Sequence, residues 1–503
     1  MSMYAIKASA SDFNDDAIEE NLKTAKPYES IPGPSTFNMF RSFMPGGRFH
    51  SLQFSDVHRA LSAEHGPIYK IRGAFGRKDM IVVVDPKDFE IVFRTEGTFP
   101  QRSGLDCLAY YWKHYKKDLY AVSLGLVSEQ GQRWWDLRQK VNGVMMKPQS
   151  TKRYTSAIDE VSRDFVQKLH NLRDSNLETP ADLFFHLNVW AFESIANITI
   201  NMRLGLLNEN NKDKNIHKLM DNIKTFFQLL NELDIQPSVW KLYRTPKFKR
   251  FIQCCFLRSV IEKLVEKGLE NLRENSDERA KSSGEKCVLE KLSEINKDVA
   301  IIMAFESLLA GVDTTSSAVF NVLYSLAINQ EKQDNLREEL MKILPEKDTP
   351  LTKEKMSNMP YLRACIKETF RLMPIVSGNF RGVGRNIVLQ GYKIPKDTGV
   401  LMHNQAVHMD EKYFPESKSF LPERWLRSQD KHENYNPFTF LPFGHGSRVC
   451  IGRRFAELEI ECLVMRMVRS YHLEWHHPPP EIRSLTINMP HGDLKLRLQE
   501  TLV

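Results

Sequence analysis

The sequence predicts a mainly α-helical protein with small β-sheets, an α+β fold in one large domain. Three observations carry that reading. Long stretches place apolar residues at helical spacing, the longest running from Asp298 to Gln330. The β-branched runs are short and bounded by Gly, Pro or Asp, as in Gly66–Ile71, Met80–Val84 and Ile387–Leu389. No linker or repeat divides the 503 residues, and 42% of them are hydrophobic, enough for a single large core.

Bulk composition narrows the class. A net charge of +7 is mild for this length; it suits basic patches and gives no motif for nucleic-acid binding. The seven cysteines are odd in number and lack paired spacing, so the chain reads as intracellular and reduced. Met1–Phe40 holds no run near the ~18–20 apolar residues that span a bilayer. Asp12, Asp15, Asp16, Glu19 and Glu20 depart from an acid-poor, Arg-rich presequence. Residues 1–30 therefore read as an N-terminal segment, a candidate remnant of a targeting sequence, and 31–503 as the working domain.

Ile31-Pro32-Gly33-Pro34 is a stiff turn. Ser55–His65 reads as a helix, and Pro86 suits the first turn of another that reaches Glu96. Leu105–Tyr120 reads as a loop rich in aromatics, among them Tyr110, Tyr111, Trp112 and Tyr115. Trp134 and Arg138 share one helix face. Tyr154–Leu172 and Leu183–Leu206 read as packed helices, with two more between about Asn215 and Leu272 joined around Pro237 and Pro246. That joint mixes Trp240, Tyr243, Phe248 and Phe251 with Lys241, Arg244, Lys249 and Arg250. The mixture suits peripheral membrane contact with rings in the interface; a solvated basic loop is the alternative. Asn275–Glu285 reads as a polar surface loop.

Val299–Ile328 is apolar enough to raise a membrane span. Glu306, Asp313, Thr314, Thr315, Ser316, Ser317 and Asn321 would each need a partner in lipid, so a buried central helix is the better reading. Glu368 and Arg371 stand one turn apart, and Arg424 lies in Pro422–Trp425. His472, His476 and His477 have no acid or cysteine that completes a metal site and read as strand and turn surface.

One stretch points to chemistry. Leu441–Ala456 delivers Cys450 just ahead of a helical run, Phe455–Tyr471, where the helix dipole and unpaired N–H donors favour a thiolate. Gly446 and Gly452 allow tight turns that bring those donors close. Phe443 can shield the sulfur, and Arg448 can pair with a carboxylate of whatever the sulfur holds. A protected lone thiolate suits a haem iron. A dinucleotide loop is excluded, because Val449 takes the third glycine's place and no strand-and-acid pair follows.

The pattern Phe-x-x-Gly-x-Arg-x-Cys-x-Gly, filled by Phe443, Gly446, Arg448, Cys450 and Gly452, resembles the haem-binding loop of the cytochrome P-450 superfamily. The resemblance implies the single-domain P-450 fold, with the long helix lying over haem b and Cys450 ligating its iron. It further implies that Arg138 with Trp134, Arg381 and Arg448 bind the haem propionates. Ala310-Gly311-Val312-Asp313-Thr314-Thr315 is similar to the family's oxygen-activating segment. There, small Ala310 and Gly311 let a flat cofactor approach, Thr314 donates to dioxygen, and Asp313, turned toward solvent, relays protons. A Thr314 hydroxyl bonded back to a helix carbonyl is the alternative. Glu368, Arg371 and Arg424 would form a buried ion triad holding the loop, and Ile375, Val376 and Asn379 would wall the substrate pocket.

What the resemblance implies for function is a haem-thiolate monooxygenase that inserts one atom of O2 into an apolar substrate. No flavin or nicotinamide domain remains in the chain, so electrons come from a separate protein. Arg363, Lys367, Arg453 and Arg454 could steer an acidic partner to the thiolate side. That is similar to the mitochondrial class, whose donor is an adrenodoxin-type ferredoxin fed from NADPH through ferredoxin reductase. Thr98–Arg102 and Gln132–Pro148 resemble insect mitochondrial members. The expectation is a monomer, peripheral to the matrix side of the inner membrane, acting on a xenobiotic or a steroid such as an ecdysteroid. The aromatic stretch Leu105–Tyr120 tips the choice toward detoxification. The rivals are a peroxide-rearranging isomerase of the same fold and a haem sensor or carrier without turnover.

Overall fold

A computed structural model describes residues 15–501, apart from 74–76, 103–104, 116–122, 209–213, 237, 256–257, 275–284, 427–435 and 485–486. At its centre is the helix Lys297–Ala327, 31 residues long and apolar on nearly every side. A helix with no polar face must be enclosed. Here it packs against Leu183–Thr199, Val288–Ile295 and Arg453–Ser470. Its start is fixed by Asn296, whose side chain accepts the N–H of Asp298 at 2.7 Å. The helix is long and apolar enough to cross a membrane, yet most of that stretch is buried within the protein.

The main sheet has four strands in the order Ile68–Ile71, Met80–Val83, Gly399–Met402, Asn379–Gly382. Met80–Val83 runs parallel to Gly399–Met402, and the other two pairings are antiparallel. Both faces of the sheet are covered. Ile81 and Val83 enter one apolar cluster with Phe89, Val400 and Met402, while Val82 enters another with Tyr69 and Leu401. Burial on both sides explains why the strand reads as an unbroken run of branched residues.

Three expectations need correction. Leu105–Tyr120 is not a loop: Asp106–Tyr115 is a helix that buries Cys107, Leu108, Tyr111 and Trp112 on one face, and residues 116–120 lie outside the described residues. The segment read as two helices is three: Lys214–Leu230, continued by a π-helical turn at Asn231–Ile235, then Pro246–Cys255 and Arg258–Glu274. The joint does not present all its rings. Trp240, Phe248 and Phe251 are buried, with Trp240 stacked on Phe248 at 4.8 Å, whereas Leu242 and Tyr243 are 78% and 68% exposed. Ahead of residue 31, Lys26 bridges to Tyr392 and the helix Asp15–Thr24 meets Ile387–Leu389. Asn275–Glu285, except Glu285, falls outside the described residues.

Candidate active site

The loop before Arg453–Ser470 turns on two glycines. Gly444 and Gly446 have φ of 75° and 72°, conformations that side chains disfavour, and a Cβ on Gly446 would lie 2.6 Å from Glu96 Oε1. Gly452, expected to make a tight turn, has an ordinary backbone conformation, and open space surrounds its Cβ position. Its contribution is its N–H, which with that of Arg453 bonds to Cys450. Burial pushes the Cys450 thiol up, against those N–H bonds and the nearby Arg138 and Arg102. The Cys450 N–H donates to Phe443 O at 2.9 Å, and the Phe443 ring meets Phe370 edge-on at 5.8 Å. Of the seven cysteines Cys450 alone is exposed, although it lies deep in the chain's packing.

Four guanidiniums converge beside it. Arg448 donates to Pro100 O, Leu126 O, Glu129 O and Gln130 Oε1 at 2.9–3.1 Å and stacks on Trp134. Of the five N–H groups a guanidinium carries, one on Nη1 remains. Arg138 donates to Val449 O at 2.8 Å. Arg381 pairs with Glu96 at 2.7 Å and donates to Phe380 O and His445 O. Arg102, which the sequence reading passed over as a cation, is the fourth. Burial and the other three arginines push Arg448 down to about 9. Burial likewise pushes Arg138 to about 10.

Two carboxylates, Glu96 and Glu306, sit among the four guanidiniums, leaving two positive charges uncompensated. Arg138 Nε and Trp134 Nε1 are buried with no hydrogen-bond partner among the described residues. Buried donors of this kind are normally satisfied. The donor set fits a flat group that carries two carboxylates and a metal matched to one thiolate, which is the make-up of haem b.

The middle of the long helix places Ala310, Gly311, Asp313 and Thr314 in different settings. Ala310 is exposed in the middle of the long helix, and Thr314, one turn on, is partly exposed. Gly311 instead faces the neighbouring helix: a Cβ there would meet Ile195 Cγ1 at 3.2 Å, so its smallness serves helix packing. Thr314 Oγ1 donates to Ala310 O at 2.6 Å, the local back-bond named above as the alternative. Asp313 is not turned toward solvent. It is 2% exposed, because Asn188 of the packed helix Leu183–Thr199 covers it and donates to Oδ1 at 3.0 Å. Burial pushes Asp313 up to about 6, against Lys224 and Asn188, and its Oδ2 has no hydrogen-bond partner among the described residues.

Glu368, Arg371 and Arg424 meet. Arg371 forms a fork with Glu368 at 2.7 and 3.0 Å, and Arg424 Nε donates to Glu368 Oε1 at 3.0 Å. Trp425 Nε1 and the Leu421 N–H complete the carboxylate's shell. Arg371 also holds the carbonyls of His408, Ser417 and Ser419, tying together the segment that leads to the cysteine loop. Of the four cations read as partner-facing, Arg363 is paired with Glu461 at 2.8 Å and Arg453 with Glu457 at 2.8 Å. Lys367 is exposed, and Arg454 is half-buried. Of the residues read as pocket wall, Val376 is 45% exposed, while Asn379 donates to Asn404 Oδ1 at 3.0 Å.

Sequence reasoning missed Glu96, Arg102, Asn188, Glu306 and Trp425 as parts of this arrangement. Arg102 closes the Thr98–Arg102 stretch already marked by resemblance, and Trp425 follows Arg424 directly. Asn188 carried no local signal.

An enclosed central helix, a thiolate-presenting loop and a cradle for two carboxylates define a haem-thiolate protein. The comparisons agree. Residues 32–496 match the family model described as Cytochrome P450. The chain is 41% identical over 496 residues to "Probable cytochrome P450 12b2, mitochondrial" of Drosophila melanogaster, covering 96% of this chain and 92% of that one. It is 41% identical over 479 residues to "Cytochrome P450 12b1, mitochondrial" of Drosophila acanthoptera, covering 93% and 89%. It is 36% identical over 499 residues to "Cytochrome P450 CYP12A2" of Musca domestica, covering 96% and 93%. The chain belongs to the cytochrome P450 family: an oxidoreductase, a monooxygenase, with haem b as its cofactor.

Proposed function

We propose that this monooxygenase works in mitochondria, takes electrons from an adrenodoxin-type ferredoxin, and hydroxylates an apolar substrate, a xenobiotic or a steroid such as an ecdysteroid. The observation that carries the chemistry is Cys450: an exposed sulfur, held by the N–H groups of Gly452 and Arg453, beside four guanidiniums. Mitochondrial placement is supported by the names of the two Drosophila relatives above.

Haem b, when bound, supplies the iron at which O2 is activated, one oxygen atom entering a C–H bond and the other leaving as water. Cys450 would ligate it, with Phe443 shielding the sulfur. Arg138, Trp134, Arg381, Arg448 and Arg102 would hold its propionates. Ala310 keeps the middle of the long helix low, and the Thr314 hydroxyl can swing from Ala310 O to donate toward the reacting oxygen. Asp313, raised to about 6, can hold or pass a proton at Oδ2 while Asn188 fixes Oδ1. Glu368, Arg371 and Arg424 fix the loop without touching substrate.

Lys367 and Arg454, with the paired Arg363 and Arg453 behind them, would meet an acidic ferredoxin. Exposed Leu242 and Tyr243, flanked by Lys241 and Arg244, would seat the monomer peripherally on the matrix side of the inner membrane.

The test is reconstitution with ferredoxin, ferredoxin reductase and NADPH. Product must require all three, and Thr314→Ala must consume NADPH without matching product. Product without the ferredoxin chain would favour the isomerase; none with any substrate bound would favour the sensor. Cys450→Ser must also abolish the red-shifted thiolate band of the reduced carbon monoxide complex. A screen of sterols against small xenobiotics, read by the Soret shift, separates the two substrate classes.

A further inference from the structure

A carboxylate inside the long helix has no part in the chemistry described so far. Glu306 stands one turn before Ala310 and two before Thr314, on the same stripe of Lys297–Ala327, and is buried. Its oxygens accept the N–H groups of Leu126 at 2.8 Å and Val127 at 3.1 Å, at the short helix Gly125–Ser128. Gly125 makes the approach possible. Its φ is 83°, and a Cβ there would lie 2.1 Å from Glu306 Oε1.

One peptide unit, Leu126–Val127, points its N–H at Glu306 and its C=O at the cysteine loop. Leu126 gives its N–H to Glu306 and its C=O to Arg448, and Arg448 also takes Glu129 O and Gln130 Oε1. One helical turn is thus clamped between a carboxylate of the oxygen-side helix and a guanidinium two residues from Cys450. A peptide dipole lined up between opposite charges is strengthened by both in a low-dielectric interior. Glu306 is also within electrostatic reach of Arg102 and Arg448.

We propose that Glu306 is a positioning residue for the haem site: through Gly125–Ser128 it fixes Arg448, and its charge offsets the arginine cluster that receives the propionates. The inference rests on the haem-thiolate reading. Burial raises Glu306 to about 7, against the two N–H bonds and the two arginines. The function follows from charge balance. Above pH 7, where the carboxylate is ionised, the cluster is matched to two propionates. Without it an uncompensated positive charge remains beside the iron and stabilises the reduced form over the oxidised.

The experiment uses the full-length haem protein and Glu306→Gln, which keeps the shape and one acceptor oxygen but removes the charge. At pH 8, where Glu306 is ionised, the ferric/ferrous potential, read by spectroelectrochemistry, should move upward, and haem transfer to apomyoglobin should speed up severalfold. Gly125→Ala, which displaces the carboxylate without touching it chemically, should move both readings in the same direction. Glu306→Asp, charged but shorter, should restore the potential more than the rate of haem loss. A Glu306→Gln protein with unaltered potential overturns the inference, including the case where only the melting temperature falls, because that marks a structural role alone. Wild-type protein lacking the thiolate band would sink the haem-thiolate reading instead; a normal band with an inert Glu306→Gln sinks only this inference.

Discussion

The guanidinium of Arg448 lies over the indole of Trp134, its central carbon 3.8 Å from the ring centroid. Arg448 comes from the cysteine loop and Trp134 from Gly131–Met145, so the stack joins segments more than three hundred residues apart in the chain. Both would hold the same group.

A planar fork on an aromatic face cannot be replaced by a point charge. Arg448→Lys should lose most of the four acceptor contacts and cost about 3 kcal/mol, the scale for breaking a buried charged network. Urea unfolding midpoints, with haem content per chain, check it. Unchanged values would show that the stack is dispensable.

Glu368 accepts from two arginines, an indole and a backbone N–H. Glu368→Gln leaves Arg371 and Arg424 without a counter-charge and should cost about 3–5 kcal/mol. The purified protein should carry little haem while showing normal helix content by circular dichroism. Full haem loading would contradict the role assigned to the triad.

Asp313 titrates near 6 in the fold against an ordinary value of 3.8. A folded pKa above the unfolded one favours the protonated form, so the stability it contributes is present at low pH and is lost as pH rises through about 6. Asp313→Asn should therefore be more stable than wild type at pH 7.5, by up to about 3 kcal/mol. The gain should shrink as pH falls from 6 toward 4. Denaturant midpoints across that range test the sign, and the same variant should turn over slowly.

Leu242 and Tyr243 stand clear of the surface between Lys241 and Arg244. Burying a leucine in an apolar medium is worth about 1.5–3 kcal/mol, so Leu242→Asp should weaken binding to anionic vesicles roughly tenfold or more. Flotation with vesicles of matched neutral and anionic composition measures it. Equal binding of both proteins would remove the loop from the membrane model.

Lys367 is exposed on the helix that carries Glu368. Lys367→Glu should slow reduction by ferredoxin roughly 3–10-fold at low salt, with the difference fading once the Debye length shortens. Stopped-flow reduction at two ionic strengths reads this directly. A salt-independent deficit would place the defect elsewhere.

The fold class was legible because the central helix announces itself: apolar side chains on every face need enclosure, whatever encloses them. The cysteine loop was legible as a local pattern. What could not be read were partners fixed only by three-dimensional packing. The burial of Asp313 depends on Asn188, a polar residue in a different helix with nothing remarkable around it. Glu306 looked like a reason against a membrane span, since nothing local shows that Leu126 and Val127 turn their N–H groups toward it. Asp106–Tyr115 was misread because the adjacent Tyr110, Tyr111 and Trp112 point in different directions, masking the Cys107, Leu108, Tyr111, Trp112 stripe that the packing selects.

The parallel pairing of Met80–Val83 with Gly399–Met402 has a bearing on how the molecule is made. Chain synthesised from its N-terminus displays Met80–Val83 with one edge unpaired until Gly399–Met402 has been delivered, some three hundred residues later. An apolar strand left open for that interval invites pairing with other chains. Helpers that cover it until Gly399–Met402 arrives would raise the yield of native enzyme.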